Sequence, residues 1–288
     1  MHRRTISRET PTLRGPGLFS GEECAVTIRP SVVANGILFT SPGRGPVQAH
    51  VSRCVDWRPR GLPAGLPIRN TSIGAGDWSV GTIEHVMSAL AGLGITDAVV
   101  EVQGPEVPIL DGSALPFVEV LLPLVVEFER EQDPIVLRGP VEVQDGGGGV
   151  VRAEPRPGGW SFTYALDYGP SSPIQAQAAV WSGDPAEYAR DIAPARTFSL
   201  RAEAEAAARA GLFTKFSARE MVVVGDDGQP IDNQWRMRNE PAKHKLLDLI
   251  GDLALLGRPL AADVTATRSG HALVREFCRK VLEQVQEA

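Results

Sequence analysis

The sequence predicts an α+β protein built from two similar halves, and three observations support this fold class. Its 288 residues exceed the usual length of one domain, so two medium domains are expected. Short strand patterns followed by apolar helix patterns occur twice along the chain. Between these two runs, residues 129–134 form a charged stretch that ends in proline and is typical of a linker. We therefore expect one domain at residues 1–130 and a second at 131–288.

The first half is expected to form a sheet and a pair of helices. Runs of β-branched and apolar residues bounded by Pro, Gly or Asn predict strands at 24–29, 36–40, 47–51 and 98–102. Residues 56–70 are rich in Arg, Pro and Gly and predict a loop. Apolar helices are expected from Thr82 to the glycines at 92–94, and from about Leu115 to Phe128.

The second half repeats this organisation. Strands are predicted at 135–137, 141–144, 150–154, 161–168, 178–181, 221–224 and 261–267. An Ala-rich helix is expected at 201–210, a longer helix at 239–257, and a last amphipathic helix from His271 onwards. The second half should therefore also form a sheet covered by helices.

Composition excludes several classes of function. The net charge of −6, without a long cluster of Lys and Arg, argues against a nucleic-acid surface. Because no run of about 18 apolar residues and no apolar signal segment are present, we expect no stable membrane insertion and a cytoplasmic location. Cys24, Cys54 and Cys278 lack the spacing of a disulfide framework or zinc knuckle and are interpreted as buried thiols. A monomer that acts on a small molecule is expected.

Candidate metal ligands recur on the helix predicted at 239–257. His244, Asp248 and Asp252 are spaced four residues apart and share one helix face. A neutral imidazole and a carboxylate at this spacing can bind one zinc ion, although an isolated pair more often faces solvent or caps a neighbouring element. With His85 from the first half, His244 and Asp248 would make a three-ligand site with one open position.

Four further residues carry candidate roles beside this site, each with a structural alternative. Glu84 could act as general base, or it could be a first-turn glutamate favoured by the helix dipole. His271 could protonate a leaving amine with Asp252 as its partner, or it could be a solvated helix residue. Thr197 could support a developing oxyanion, although a lone threonine is usually structural. Lys245 could contact a phosphate, or it could be a solvated charge.

Five ordered motifs resemble the UDP-3-O-acyl-N-acetylglucosamine deacetylase family, the zinc amidases of bacterial lipid A synthesis. The motifs are Thr82-Ile83-Glu84-His85, Asp111-Gly112-Ser113-Ala114, Ala195-Arg196-Thr197-Phe198, His244-Lys245-Leu246-Leu247-Asp248 with Gly251-Asp252, and Ser269-Gly270-His271-Ala272. The resemblance covers nearly the whole chain. It implies two similar domains, each a β-sheet layered with two helices, with the helix layers packed together between the sheets.

The resemblance also implies an activity and a set of roles. It implies removal of the N-acetyl group from a UDP-linked acylated glucosamine, with Zn²⁺ bound by His85, His244 and Asp248. Further implied roles are general base for Glu84, general acid for His271 with Asp252, oxyanion support for Thr197, and substrate contacts for Lys245, Phe198, Tyr168 and Arg268. The alternatives are a related zinc amidase for another N-acetyl sugar and a non-catalytic binder of nucleotide sugars.

The sequence departs from the family pattern in two kinds of position. Phe19 and Gly169 stand where the family carries histidines. In the insert that should form the acyl-chain passage, about residues 197–224, Arg201 and Lys215 stand at positions where small or apolar residues are usual. Because burying a cation beside an acyl chain is costly, we expect weak dependence of activity on acyl length.

Overall fold

The computed structural model of the protein describes residues 2–59, 68–213, 215–218 and 221–286. Part of the predicted loop at 56–70 therefore lies outside the described residues, as do positions 214, 219 and 220 of the predicted insert. Among the helices in the described ranges, none combines the length and the apolar character needed to cross a membrane.

Strands and helices alternate along the chain much as the sequence predicts. The strands are β1 (His2–Ile6), β2 (Leu13–Pro16), β3 (Glu23–Pro30), β4 (Ile37–Thr40), β5 (Val47–Gln48), β6 (Ile73–Ala75), β7 (Trp78–Val80), β8 (Ala98–Gln103), β9 (Val125–Glu131), β10 (Ile135–Val136), β11 (Val141–Gln144), β12 (Val150–Pro155), β13 (Ser161–Leu166), β14 (Gln177–Trp181), β15 (Phe198–Leu200), β16 (Val222–Val224) and β17 (Leu260–Thr267). The α-helices are α1 (Glu84–Gly92), α2 (Leu115–Leu121), α3 (Pro185–Glu187), α4 (Arg201–Arg209), α5 (Glu240–Leu253) and α6 (His271–Gln286). A π-helical turn spans Tyr188–Ile192.

Two sheets with the same strand order form the two halves. The first has the order β2-β3-β8-β4-β5, and the second has the order β11-β12-β17-β13-β14, with β10 added beside β17. In each sheet the central strand is the one that comes last in the chain among the strands of that sheet, β8 or β17, and it is antiparallel to one neighbour and parallel to the other. A parallel pair needs a long crossover, and α1 and α5 lie in these crossovers. The α+β fold of two similar halves is thus confirmed, while the boundary at residue 130 stays a prediction.

Helices α1 and α5 pack against each other, with α2 on α1 and α6 on α5. Gly251 permits this close approach, because a Cβ at that position would collide with the Glu84 carbonyl oxygen. The buried faces of both helices belong to one hydrophobic core that also includes residues of both sheets. The first turn of α1 therefore lies directly against the middle of α5.

The segment after α2 differs from its prediction. The helix expected to reach Phe128 ends at Leu121, and residues 125–131 form strand β9 against β1. Pro123 explains the early stop, because proline has no amide hydrogen to continue the helix. It lies in a short 3₁₀ turn, Leu122–Leu124, directly after α2. Glu129, Arg130 and Glu131, which were expected in a linker, lie on this strand instead. Beside them, Arg4 of β1 pairs with Glu127 at 2.6 Å.

Candidate active site

The first turn of α1 presents Glu84 and His85 to α5, and both side chains are buried. Thr82, just before the helix, has a φ of 57°, a left-handed conformation that disfavours β-branched residues. Its hydroxyl donates to Glu106 Oε2 at 2.7 Å and accepts from Asn70 Nδ2 at 3.2 Å. These two hydrogen bonds hold the strained turn and so fix the start of α1.

His85, His244 and Asp248 come together between α1 and α5. One potential ligand atom from each residue lies within 4.8 Å of the other two. Asp248 Oδ1 is 3.5 Å from His244 Nε2 and 3.7 Å from His85 Nε2. Within the described part of the chain, this buried oxygen has no hydrogen-bond partner. Because an unpaired buried carboxylate oxygen is costly, its position facing two imidazole nitrogens fits a metal ion.

The protonation states of these residues suit metal binding. Burial, reinforced by the nearby His244, lowers the pKa of His85 to about 3. Burial also lowers the pKa of His244. Burial alone would raise the pKa of Asp248, but Lys245 and the histidines hold it well below its usual range. Two neutral imidazoles and one ionised carboxylate are the donors that a transition-metal ion requires.

A backbone carbonyl determines which nitrogen of His244 faces the cluster. His244 Nδ1 donates to the carbonyl oxygen of Ala195 at 3.1 Å, so Nε2 is free to act as a ligand. The adjacent Arg196 forms a buried ion pair with Glu240, at 2.8 Å between Nε and Oε1, at the start of α5. The sequence reasoning missed Arg196 and Glu240, because their pairing joins positions that are 44 residues apart.

Glu84 and His271 lie near the cluster, and the pKa of each is raised above its ordinary value. Burial raises the pKa of Glu84 to about 7, so its carboxyl group can take up and release a proton near neutral pH. His271 Nδ1 donates to Asp252 Oδ2 at 2.7 Å. Burial would lower the pKa of His271, but Asp252 outweighs this effect and the pKa rises to about 9. At neutral pH the site therefore combines a titratable carboxyl group with a protonated imidazole.

Thr71 was not singled out by the sequence reasoning. Its amide donates to Glu84 Oε2 at 3.0 Å, and its hydroxyl donates to Asp252 Oδ1 at 2.5 Å. The sequence carries little signal for this role, because a threonine before a short strand is common. Only the folded chain brings Thr71 to both carboxylates.

Three of the predicted substrate-binding residues, Lys245, Phe198 and Tyr168, lie near His244. Lys245 Nζ lies 2.8 Å from Asp248 Oδ2, and burial would lower the pKa of Lys245, but Asp248 and nearby tyrosines raise it. The Phe198 ring is 6.2 Å from that of His244 and 6.5 Å from that of Tyr168, between centroids. Lys245 and Phe198 thus contact the residues of the cluster, and Tyr168 lies next to Phe198.

Arg268 and Thr197 complete the predicted set. Arg268 is exposed and pairs with Asp167, with 2.7 Å between Nη2 and Oδ2. Asp167 directly precedes Tyr168 in the chain. The Thr197 amide donates to the Gly112 carbonyl oxygen at 2.7 Å. This bond ties the segment that follows Ala195 to the Asp111-Gly112-Ser113 turn of the first half.

The burial assumed for Arg201 and Lys215 is not observed, and the dependence on acyl length that it motivated stays untested. Arg201 is 46% exposed and lies 3.3 Å from Asp226, and Lys215 is also exposed. The apolar residues of the insert turn inwards instead, and an apolar cluster consists of Leu18, Phe19, Ile109, Phe213, Phe216 and Met221. The rings of Phe19 and Phe213 are 5.8 Å apart between centroids. Because the cations can reach water, their desolvation does not weaken this apolar surface.

Comparisons with known proteins agree with this geometry. The sequence profile of the UDP-3-O-acyl N-acetylglycosamine deacetylase (LpxC) family matches residues 3–283. The chain is 36% identical over 277 residues to the UDP-3-O-acyl-N-acetylglucosamine deacetylase of Geobacter sp. (strain M21), covering 95% of this chain and 87% of the relative. It is 34% identical over 287 residues to the enzyme of the same name from Myxococcus xanthus (strain DK1622), covering 98% and 86%. The chain belongs to the LpxC family.

Proposed function

We propose that this protein is a zinc-dependent N-deacetylase acting on UDP-3-O-acyl-N-acetylglucosamine. One observation carries the proposal: the buried cluster of His85, His244 and Asp248 has a titratable carboxyl group and a protonated imidazole beside it. Membership in the LpxC family supports the choice of substrate. The reaction is hydrolysis of the acetamide, in which water adds to the carbonyl carbon and the C–N bond breaks to give acetate and an amine.

His85, His244 and Asp248 would hold the zinc ion. When bound, zinc polarises the acetamide carbonyl and lowers the pKa of water near it. Lys245 pairs with Asp248 Oδ2 and so keeps this carboxylate ionised and oriented towards the histidines. The carbonyl oxygen of Ala195 accepts a hydrogen bond from His244 Nδ1 and so fixes the orientation of that ring.

Glu84 and His271 would move the two protons of the reaction. Glu84 takes the proton of the attacking water, because its pKa of about 7 leaves a useful fraction ionised at neutral pH. His271 enters the reaction protonated and donates its proton to the leaving amine nitrogen, while Asp252 balances the charge of the imidazolium. Thr197 would support the negative oxygen that develops on the carbonyl.

The remaining residues would bind the substrate outside the reacting amide. Lys245 and Arg268 are the cations suited to the diphosphate, and Phe198 and Tyr168 offer ring faces to the sugar. The apolar cluster of Leu18, Phe19, Ile109, Phe213, Phe216 and Met221 would receive the acyl chain. A monomeric state and a cytoplasmic location stay predictions.

Turnover measured by mass spectrometry tests the proposal. Metal-loaded protein is incubated with UDP-3-O-acyl-N-acetylglucosamine and, in parallel, with UDP-N-acetylglucosamine. We expect loss of one acetyl group from the acylated substrate and much slower loss from the other, because only the first can fill the apolar cluster. Equal turnover of both would indicate an amidase for another N-acetyl sugar. Binding without turnover would indicate a non-catalytic relative.

A further inference from the structure

Thr71 commits all three of its polar groups to the candidate active site. Its carbonyl oxygen accepts from the amide of Ile83 at 3.1 Å, at the N-terminal end of α1. Its amide donates to Glu84 Oε2 at 3.0 Å, and its hydroxyl donates to Asp252 Oδ1 at 2.5 Å. The residue is 1% exposed, so none of these bonds is shared with bulk water.

These bonds connect the two halves of the chain at the reacting groups. Glu84 lies on α1 of the first half, whereas Asp252 lies on α5 of the second half, 181 residues from Thr71. The other oxygen of Asp252, Oδ2, accepts from His271 Nδ1. Thr71 therefore contacts Glu84 directly and is linked to the imidazole of His271 through Asp252.

We propose that Thr71 is a positioning residue that holds the proton acceptor Glu84 and the proton donor His271 in fixed positions relative to each other. The inference rests on the proposed function, because the roles of Glu84 and His271 come from it. With Oε2 held by the Thr71 amide, Glu84 keeps its other oxygen for the attacking water. With Oδ1 held by the Thr71 hydroxyl, Asp252 cannot rotate away from His271.

The physical reason is preorganisation. A carboxylate with one anchored oxygen can still turn about its side-chain torsions, and a small displacement of a catalytic group costs rate. The Thr71 hydroxyl, as a second donor to Asp252 beside His271, removes that freedom without adding a further charge to the site. Residues that orient catalytic or metal-binding groups in this way typically contribute roughly 10–100-fold to activity.

Two conservative changes separate positioning from packing. Thr71→Val keeps the shape of the side chain and removes the hydroxyl, whereas Thr71→Ser keeps the hydroxyl and removes the methyl group. We expect Thr71→Val to lower kcat roughly 10–100-fold with KM and metal content unchanged, and Thr71→Ser to stay within about threefold of wild type. The reverse order, with Ser impaired and Val active, would show a packing role and overturn the proposal.

Ser72→Ala is the matched control. Ser72 is the next residue, and its buried hydroxyl donates to the Val55 carbonyl oxygen at 3.0 Å, away from the catalytic carboxylates. We expect its kcat to stay within about twofold of wild type. A loss as large as that of Thr71→Val would mean that any lost hydroxyl in this segment disturbs the site, which contradicts a specific role for Thr71.

A measurement without substrate distinguishes failure of this inference from failure of the proposed function. Asp252 contacts the His271 ring directly, and the charges of Glu84 and Asp248 also act on it. The Thr71→Val change removes a hydrogen bond from Asp252 alone. If Asp252 turns away from His271 when the Thr71 hydroxyl is lost, NMR titration of the His271 ring should give a pKa about one unit lower in Thr71→Val than in wild type, and no change in Thr71→Ser. An unchanged or higher pKa in Thr71→Val would show that Asp252 keeps its place without the hydroxyl, which would overturn the positioning role. If wild type does not turn over the acylated substrate, the proposed function fails and this titration alone decides the role of Thr71.

Discussion

Charged side chains differ in burial between two regions of the molecule, the interface of α1 with α5 and the insert at 197–224. At this interface and at the neighbouring start of α6, ionisable side chains are buried or half-buried and held by specific partners, as in the pairs His271–Asp252 and Lys245–Asp248. In the insert, Arg201 is exposed and the aromatic residue Phe213 packs inwards. Burial of charge is tolerated only where partners offset the loss of hydration. The buried charges around α5 therefore belong to the candidate reacting centre, whereas the exposed charges of the insert give no information about the acyl surface.

His244→Ala should produce the largest change, because it removes a ligand from the centre of the helix interface. We expect loss of bound metal and a fall in kcat/KM of roughly 10³-fold or more, which corresponds to about 4 kcal/mol of lost transition-state stabilisation. Metal analysis and turnover measure this effect. Lys243→Ala on the same helix is the control and should keep both, whereas full metal occupancy in His244→Ala would exclude the proposed site.

Glu84→Gln should keep the metal and lose most of the turnover. General-base assistance is typically worth about 10²–10⁴-fold, and the glutamine oxygen can still accept from the Thr71 amide. The change therefore removes proton transfer and leaves the packing of α1 intact. Loss of metal from this variant would instead identify Glu84 as a ligand.

His271→Gln should remove the basic limb of the pH–rate profile. Wild-type activity is expected to decline as pH rises through about 9, because His271 must be protonated to donate. The pKa of this histidine is higher in the folded protein than its ordinary value of 6.5, so its stabilising effect is fully present below pH 6.5 and is lost as pH rises through about 9. Denaturation of metal-free wild type and variant across this window measures that effect. A basic limb that persists in His271→Gln would exclude the proton-donor role.

The insert should show the smallest effects, and they should come from its apolar side. Phe213→Ala is expected to flatten the rise of kcat/KM with acyl length, since each buried methylene of the ligand contributes about 0.8 kcal/mol. Arg201→Met and Lys215→Met are the matched controls and should change this dependence by less than about twofold, because both cations are exposed. If kcat/KM rose more steeply with acyl length in either cation variant, that cation would lie beside the bound acyl chain, contrary to this prediction.

The sequence was sufficient to predict most elements of the fold. Alternation and helical periodicity located α1, α5, α6 and the strands near them within a few residues, because these patterns follow from which side of each element is buried. The extent of α2 was missed, since the apolar residues before and after Pro123 suit a helix or a strand equally well. Pairing with β1, from the other end of the half, decided in favour of a strand.

The sequence by itself determined that His244 and Asp248 lie together, because their spacing is local: they share a helix face wherever that helix lies. Only the tertiary structure brought His85 to them, through the close approach of α1 and α5 at Gly251. It also decided the direction of Arg201 and the contacts of Thr71, which depend on partners distant in the chain. Local patterns specify faces and termini, whereas contacts between distant segments depend on packing that no single segment encodes.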